Sequence, residues 1–180
     1  MNQRYIFLDR DGVINQDSAD YIKSVEEWQP IPRSLEAIAL LNRYGFKVIV
    51  ISNQSGLARG YYTVEILEQM HAKMRRLLAD YSGEITAIYY CPHAPEMNCN
   101  CRKPKAGLLQ QFSRDYPVEL SGLYFIGDRL SDIQTAIAVN AIPILVKTGK
   151  GLATLTAHPD LSILNFETLY DAACYLITQS

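Results

Sequence analysis

Ile6-Phe7-Leu8-Asp9-Arg10-Asp11-Gly12-Val13 opens the chain with an apolar run that stops at two carboxylates and a glycine. A β-prone segment closing on acids reads as the carboxyl end of a buried strand, the edge at which open α/β sheets hold ligands. Asp9 and Asp11 at such an edge suit a nucleophile and a proton carrier, with a divalent cation offsetting their repulsion from an anionic substrate. Taken alone, the pair equally fits a helix cap or a turn.

Four later stretches share the apolar character of the first: residues 47–52, 86–90, 123–127 and 142–146. Their runs are nearly continuous rather than alternating, which calls for cover on both faces. Pro143 places the last of them at a strand start or a sheet edge. Between the strands lie helical patterns. Residues 32–43 carry Leu35, Ala37, Ile38 and Leu41 at helical spacing with Gly45 as a stop; residues 63–81 offer Thr63 as a cap and Ile66, Met70, Met74 and Leu77 as an inner stripe. Shorter helices are expected over 107–116 and 131–139, and a closing helix over 165–178, with Cys174 facing the core as a small hydrophobe. The alternation predicts an α/β fold: one domain over residues 1–180, with a Rossmann-like open, mainly parallel sheet, helices on both faces and no separate cap domain. Residues 15–30 form a loop or small hairpin beside the first strand end, in which Trp28 either packs the loop down or lines a pocket.

The bulk properties exclude several classes of partner. A chain of 180 residues can bury a sizeable core without disulfides, and 17 basic against 19 acidic side chains leave a net charge of -2. No global positive field therefore points to nucleic acid or an anionic membrane surface. No stretch approaches about 18 uninterrupted apolar residues, and the first residues lack the apolar core of a secretion signal. The expectation is a soluble, cytoplasmic, monomeric protein acting on a small molecule.

Each informative polar motif follows a strand. Ser52-Asn53-Gln54-Ser55-Gly56 offers hydroxyls, amides and backbone donors suited to phosphate oxygens. In Arg102-Lys103-Pro104, Lys103 suits the charge of a transferring phosphoryl group, Arg102 can hold an outer phosphate by its planar fork, and Pro104 is placed to start a helix. Ile126-Gly127-Asp128-Arg129 supplies Asp128 to share Mg2+ with Asp9, while Asp132 either supports that site from behind or starts a helix. Four such sites at four strand ends favour an enzyme over ordinary turn composition. Between them, Cys91, His93, Cys99 and Cys101 form a Cys-x-His-x5-Cys-x-Cys set that can close a tetrahedral Zn2+ site. With all four positions filled by protein, the zinc would be structural and would shape the loop that aims Arg102 and Lys103. Reduced cysteines without a metal are the alternative; a disulfide suits an intracellular chain poorly.

Over most of its length the chain resembles the haloacid dehalogenase-type phosphatase superfamily. The resemblance rests on Asp9-Arg10-Asp11-Gly12, on Ser52, on Lys103, and on Gly127-Asp128-Arg129 with Asp132. It implies that Asp9 is the nucleophile that becomes an aspartyl phosphate and that Asp11 is the general acid and then the base. It further implies that Asp9, Asp128 and the backbone carbonyl of Asp11 hold Mg2+, and that Ser52 and Lys103 hold phosphoryl oxygens. The zinc loop and the Cys-Arg-Lys-Pro run are similar to two subfamilies, the heptose-bisphosphate phosphatases and the histidinol-phosphate phosphatases. The stretch from Asn53 to Gly60 and Lys105-Ala106-Gly107 look closer to the former. That likeness implies removal of the C7 phosphate of D-glycero-D-manno-heptose 1,7-bisphosphate, with the C1 phosphate kept, in heptose and lipopolysaccharide biosynthesis. The sugar bisphosphate is then expected against Asp17, Tyr21, Asn53, Gln54, Arg102 and Arg129. Histidinol phosphate is the alternative substrate, and a phosphate-ester binding module without turnover is the alternative of another class.

Overall fold

The computed structural model describes residues 4–179. Its sheet has six strands: β1 (Arg4–Leu8), β2 (Phe46–Asn53), β3 (Ala87–Cys91), β4 (Tyr124–Gly127), β5 (Ile142–Val146) and β6 (Leu164–Phe166). They are all parallel, in the order β3-β2-β1-β4-β5-β6. Six α-helices cover it: α1 (Ser34–Arg43), α2 (Val64–Ala79), α3 (Gly107–Asp115), α4 (Leu130–Ile137), α5 (Gly151–Ala157) and α6 (Leu169–Thr178).

The two faces of β1 explain the continuous apolar run that opened the chain. Ile6 and Leu8 face a core built with Ile38 and Leu41 of α1, Met70 and Met74 of α2, and Leu176 of α6. Phe7 faces the opposite core with Leu109 and Phe112 of α3 and Ala136 of α4, its ring edge-on to Phe112 at 5.1 Å. Each such buried side chain stabilises the fold by about 1.5–3 kcal/mol relative to exposure. β1 is central, with Leu8 in register with Val50 on one side and Ile126 on the other. The strand order reverses between β1 and β4, and at that point the carboxyl ends of neighbouring strands leave a crevice. Asp9 and Asp128 stand at its two sides.

Several expectations need correction. The closing helix does not begin at Asn165, because residues 164–166 pair with β5 as a short edge strand. α6 starts only at Leu169, where Thr168 and Asp171 bond each other's backbone N–H as a reciprocal cap. Three half-exposed strand residues offer no periodicity to read, and the same brevity hid α5. On α2 the inward stripe is Leu67, Met70, His71, Met74 and Leu78, with Ile66 and Leu77 at its margin; Thr63 caps the helix as expected, accepting from Ile66 N. Pro104 lies ahead of α3, which begins at Gly107. Cys174 is only partly buried. Trp28 is fully buried and packs the loop after β1 onto the first core. That loop, from Asp9 to Arg33, is held by isolated bridges from Asn15 to Asp11 and Pro30. Among the described residues no helix is long and apolar enough to cross a membrane.

Candidate active site

Asp9 is placed by the last hydrogen bond of the central strand pair, its N–H donating to Ile126 O at 2.9 Å. Its Oδ1 lies 2.9 Å from Lys103 Nζ. The same ammonium is 2.7 Å from Asp132 Oδ1 and donates to Ile51 O at 2.9 Å. Lys103 thus arrives from the loop after β3, crosses beneath β2 and ends between two carboxylates. Its backbone is pinned from both sides by Asn53, whose Oδ1 accepts from Lys103 N at 3.0 Å and whose Nδ2 donates to Lys103 O at 3.2 Å.

Asp128 follows β4 and is completely buried. Its Oδ2 accepts from Lys150 N at 2.7 Å, and its Oδ1 has no hydrogen-bond partner among the described residues. Gly12 and Gly149, both at positive φ, close around it. A Cβ on Gly12 would sit 2.2 Å from Asp128 Oδ2, and one on Gly149 would sit 2.3 Å from that atom and 2.5 Å from Gly12 Cα. Thr148 Oγ1 donates to Gly12 O at 2.7 Å and ties the two turns together. Asp132 fills both roles open to it in the sequence. Its Oδ2 accepts the N–H groups of Asp128 and Arg129 at the start of α4, while Oδ1 faces Lys103.

The charge balance of this cluster bears on a metal. Burial first, then Asp132, push the Asp9 carboxyl up to about 7 against the pull of Lys103. Burial and then Asp9 push Asp128 up to about 8. Carboxylate oxygens of Asp9, Asp128 and Asp132 lie within 4.8 Å of one another. Lys103 is shared by Asp9 and Asp132, while Asp128 Oδ1 makes no hydrogen bond among the described residues and has only Arg129 Nε as an ion-pair partner, at 4.0 Å. This hard-oxygen set fits a magnesium ion.

Asp11 stands apart from that cluster, partly exposed to the cavity. Arg10 Nη2 reaches both of its oxygens at 2.9 and 3.1 Å, Asn15 Nδ2 donates to Oδ1 at 2.8 Å, and Gln54 Nε2 donates to Oδ2 at 2.9 Å. Burial would raise its pKa, but the Arg10 guanidinium and these bonds hold the carboxyl below its ordinary value. The arrangement therefore favours the ionised, proton-accepting form of Asp11.

Asp9, Asp11, Asp17, Tyr21, Asn53, Gln54, Arg102, Lys103 and Arg129 all line one cavity of about 390 Å³. Ser52 lies beneath its floor, fully buried. Asp17 pairs with Arg129 at 2.8 Å, linking the loop after β1 to the start of α4. Tyr21, at φ 66°, packs edge-on to Tyr61 at 5.0 Å. Its phenol is held below the ordinary value by a hydrogen bond with Ser55, with Arg59 adding to the effect. These two straps lay the loop across the cavity. A larger cavity, about 880 Å³, opens at the opposite edge against Arg4, Phe46 and Tyr124. It contains none of the converging acid and lysine groups, so chemistry rather than volume identifies the site. Reading the sequence left Arg10, Asn15, Tyr62 and Lys150 without roles. For Lys150 there was a usable signal, since Thr148-Gly149-Lys150-Gly151 follows the end of β5.

Beside the cavity, the ligand atoms of Cys91, His93, Cys99 and Cys101 converge within 4.8 Å. Cys91 Sγ lies 3.1 Å from Cys101 Sγ and 3.5 Å from Cys99 Sγ, and His93 Nδ1 is 3.2 Å from Cys101 Sγ. These separations exceed an S–S bond of about 2.05 Å, and all four cysteines are free. Burial pushes the Cys91 thiol up to about 12; Cys99, despite burial, is held down to about 6 by the Arg102 backbone N–H and its sulfur neighbours. Lys105 Nζ clips the loop through Asn98 Oδ1 and Cys99 O, and Arg102 Nη1 donates to His93 O at 3.3 Å.

Residues 100–170 match the family model described as HAD-hyrolase-like. Over 177 residues the chain is 51% identical to the D-glycero-beta-D-manno-heptose-1,7-bisphosphate 7-phosphatase of Pseudomonas aeruginosa, covering 98% of this chain and 99% of that one. It is 40% identical over 154 residues to the protein of the same name from Escherichia coli K12, covering 81% and 80%. The crystal structure of D,D-heptose 1,7-bisphosphate phosphatase from B. bronchiseptica, complexed with magnesium and phosphate, superposes with a TM-score of 0.95. Its sequence identity is 42%, and the match covers 98% of this chain and 99% of that one.

Proposed function

Because the chain belongs to the D-glycero-beta-D-manno-heptose-1,7-bisphosphate 7-phosphatase family of HAD-like hydrolases, we propose that it removes the C7 phosphate of this heptose bisphosphate and leaves the C1 phosphate in place. The observation that carries the reading is the convergence of Asp9, Lys103 and Asp128 at the β1–β4 crevice with Asp11 beside them. The same reading takes the chain as a single domain over residues 1–180, a monomer, working in the cytoplasm.

In the first half-reaction an Asp9 oxygen attacks the C7 phosphorus, the bond from phosphorus to the sugar oxygen breaks, and that oxygen takes a proton from Asp11, which must be protonated for this step although its partners in the free site favour the ionised form. In the second, water attacks the aspartyl phosphate, Asp11 takes the water's proton, and the Asp9 carboxylate is released with inorganic phosphate. Lys103 and the Ser52 hydroxyl balance charge on the phosphoryl oxygens. Asp9, Asp128 and the Asp11 carbonyl would hold Mg2+, which supplies positive charge against the phosphate when bound. Arg102 and Arg129 are the cations available for the retained C1 phosphate, and Asp17, Tyr21 and Asn53 border the sugar.

The test is a kinetic comparison of the beta and alpha anomers of the heptose bisphosphate with histidinol phosphate, with and without Mg2+, locating the lost phosphate by 31P NMR. Expected are Mg2+-dependent loss from C7 of the beta anomer and a kcat/KM at least about 100-fold above that for histidinol phosphate. Preference for histidinol phosphate would overturn the substrate, and absence of phosphate release from every ester would leave only a binding module.

The cysteine loop is read as a structural Zn2+ site. Four protein ligands leave no open position, and Cys101 adjoins Arg102 and Lys103, so the metal would set the shape of the loop that carries both cations. Cys99→Ser is expected to lower the zinc content, measured by mass spectrometry, from one equivalent to well under half, and to reduce kcat/KM in step. Full zinc retention in a folded variant would remove Cys99 from the ligand set.

A further inference from the structure

We propose that Tyr62 is a positioning residue that fixes the Gln54 amide, so that one NH2 group holds the proton carrier Asp11 and the buried Ser52 in register. Tyr62 sits one residue before the α2 cap, is nearly fully buried, and donates its O–H to Gln54 Oε1 at 2.6 Å. Gln54 Nε2 then donates to Ser52 Oγ at 2.7 Å and to Asp11 Oδ2 at 2.9 Å.

A glutamine amide can be turned end for end with little change of shape, and its neighbours decide which end goes where. In the opposite orientation the Gln54 carbonyl would face the Asp11 carboxylate, acceptor against acceptor. The Tyr62 hydroxyl selects the working orientation. The other donor to Oε1, Arg10 Nη2, is at 3.4 Å and is already shared with Asp11. Burial pushes the Tyr62 phenol up to about 12, so it remains a donor.

The orientation has a consequence for Ser52. Because its Oγ accepts the Gln54 N–H, the serine's own hydrogen is free to point to a phosphoryl oxygen. Gly56 makes the arrangement sterically available, since a Cβ there would lie 2.2 Å from the Tyr62 ring. Gln54, expected from the sequence to touch the sugar, is thereby assigned to the machinery behind Asp11.

The inference rests on the functional reading of Asp11 and Ser52 given above, and the experiment separates the two. Wild type, Tyr62→Phe and Gln54→Met are compared on the heptose bisphosphate and on p-nitrophenyl phosphate, whose leaving group departs without a proton. For both variants kcat on the heptose bisphosphate is expected to fall about tenfold, the worth of one well-placed hydrogen bond, with KM within about threefold of wild type. On p-nitrophenyl phosphate the first turnover stays fast and hydrolysis of the phosphoenzyme slows, giving a burst of nitrophenol equal to the enzyme concentration.

Wild-type steady-state rates in Tyr62→Phe, or an equal loss in burst and steady state, would overturn the positioning role while leaving the phosphatase reading intact. If Tyr62→Phe melts far below wild type, Gln54→Met decides by the same two readouts. Absence of phosphate release by wild type from either ester would overturn the functional reading, and the inference with it.

Discussion

Asp9→Asn is expected to abolish turnover, with kcat lowered by at least about 10⁴-fold and no phosphoenzyme recoverable by acid quench. An amide cannot act as the attacking oxygen, and the other carboxylates are committed elsewhere: Asp11 to Arg10, Asn15 and Gln54, and Asp17 to Arg129. Asp132 has one oxygen on Lys103 and the other on two backbone N–H groups. Asp128 is fully buried behind Gly12 and Gly149. The substitution is nearly isosteric, so the fold should persist, and a melting midpoint close to wild type would confirm that the loss is chemical. A variant retaining more than a tenth of wild-type kcat would remove Asp9 from the nucleophile's role.

Lys103→Met should damage both stability and catalysis. Removing the one ammonium between Asp9 and Asp132 leaves two buried carboxylates without their counter-ion, a change that costs about 3–5 kcal/mol where a buried pair loses one partner. The pH dependence gives the loss a signature. Asp9 already titrates at about 7 against an ordinary 3.8, so the folded protein binds more protons than the unfolded one in that interval. Its contribution to stability is therefore most favourable below about 4 and declines as pH rises through 7.

Without Lys103 the Asp9 carboxyl would be raised further, so the deficit relative to wild type should be larger at pH 8 than at pH 5. Adding Mg2+ at pH 8 should recover part of it. Thermal melts at the two pH values, with and without Mg2+, would check this. A deficit independent of pH would mean that the lysine contributes packing rather than charge.

The parallel sheet was legible in the sequence except at its far edge, and so were the polar strand ends that the fold brings to one crevice. Asp9, Ser52, Lys103 and Asp128 were recognisable because each is a polar residue closing or following an apolar run, and such runs are long enough to read when both strand faces are buried. β6 and α5 were not recognisable, since a three-residue edge strand and a seven-residue helix have too little pattern to separate them from loop.

Within the site, the residues missed act through the direction their side chains take from nearby loop positions, which no motif in the sequence records. Nothing local in Tyr62 says that its hydroxyl reaches Gln54, and nothing in Asn15 says that its amide reaches Asp11. Asn53 sits in a polar motif and lines the cavity, but it has a second task that its position in the motif does not show. Its amide also bonds the Lys103 backbone, 50 positions away.

The loop laid across the cavity by the Asp17–Arg129 pair and by Tyr21 against Ser55 and Tyr61 also sets how much room the cavity has. Beneath it lies a chamber of about 390 Å³, at the lower end of the range for small-ligand pockets of roughly 300–1,000 Å³. The wall of that chamber facing away from the sheet is one loop, and its place is fixed at two levels: by the fully buried Trp28 at its base and by the ion pair and ring contact at its rim.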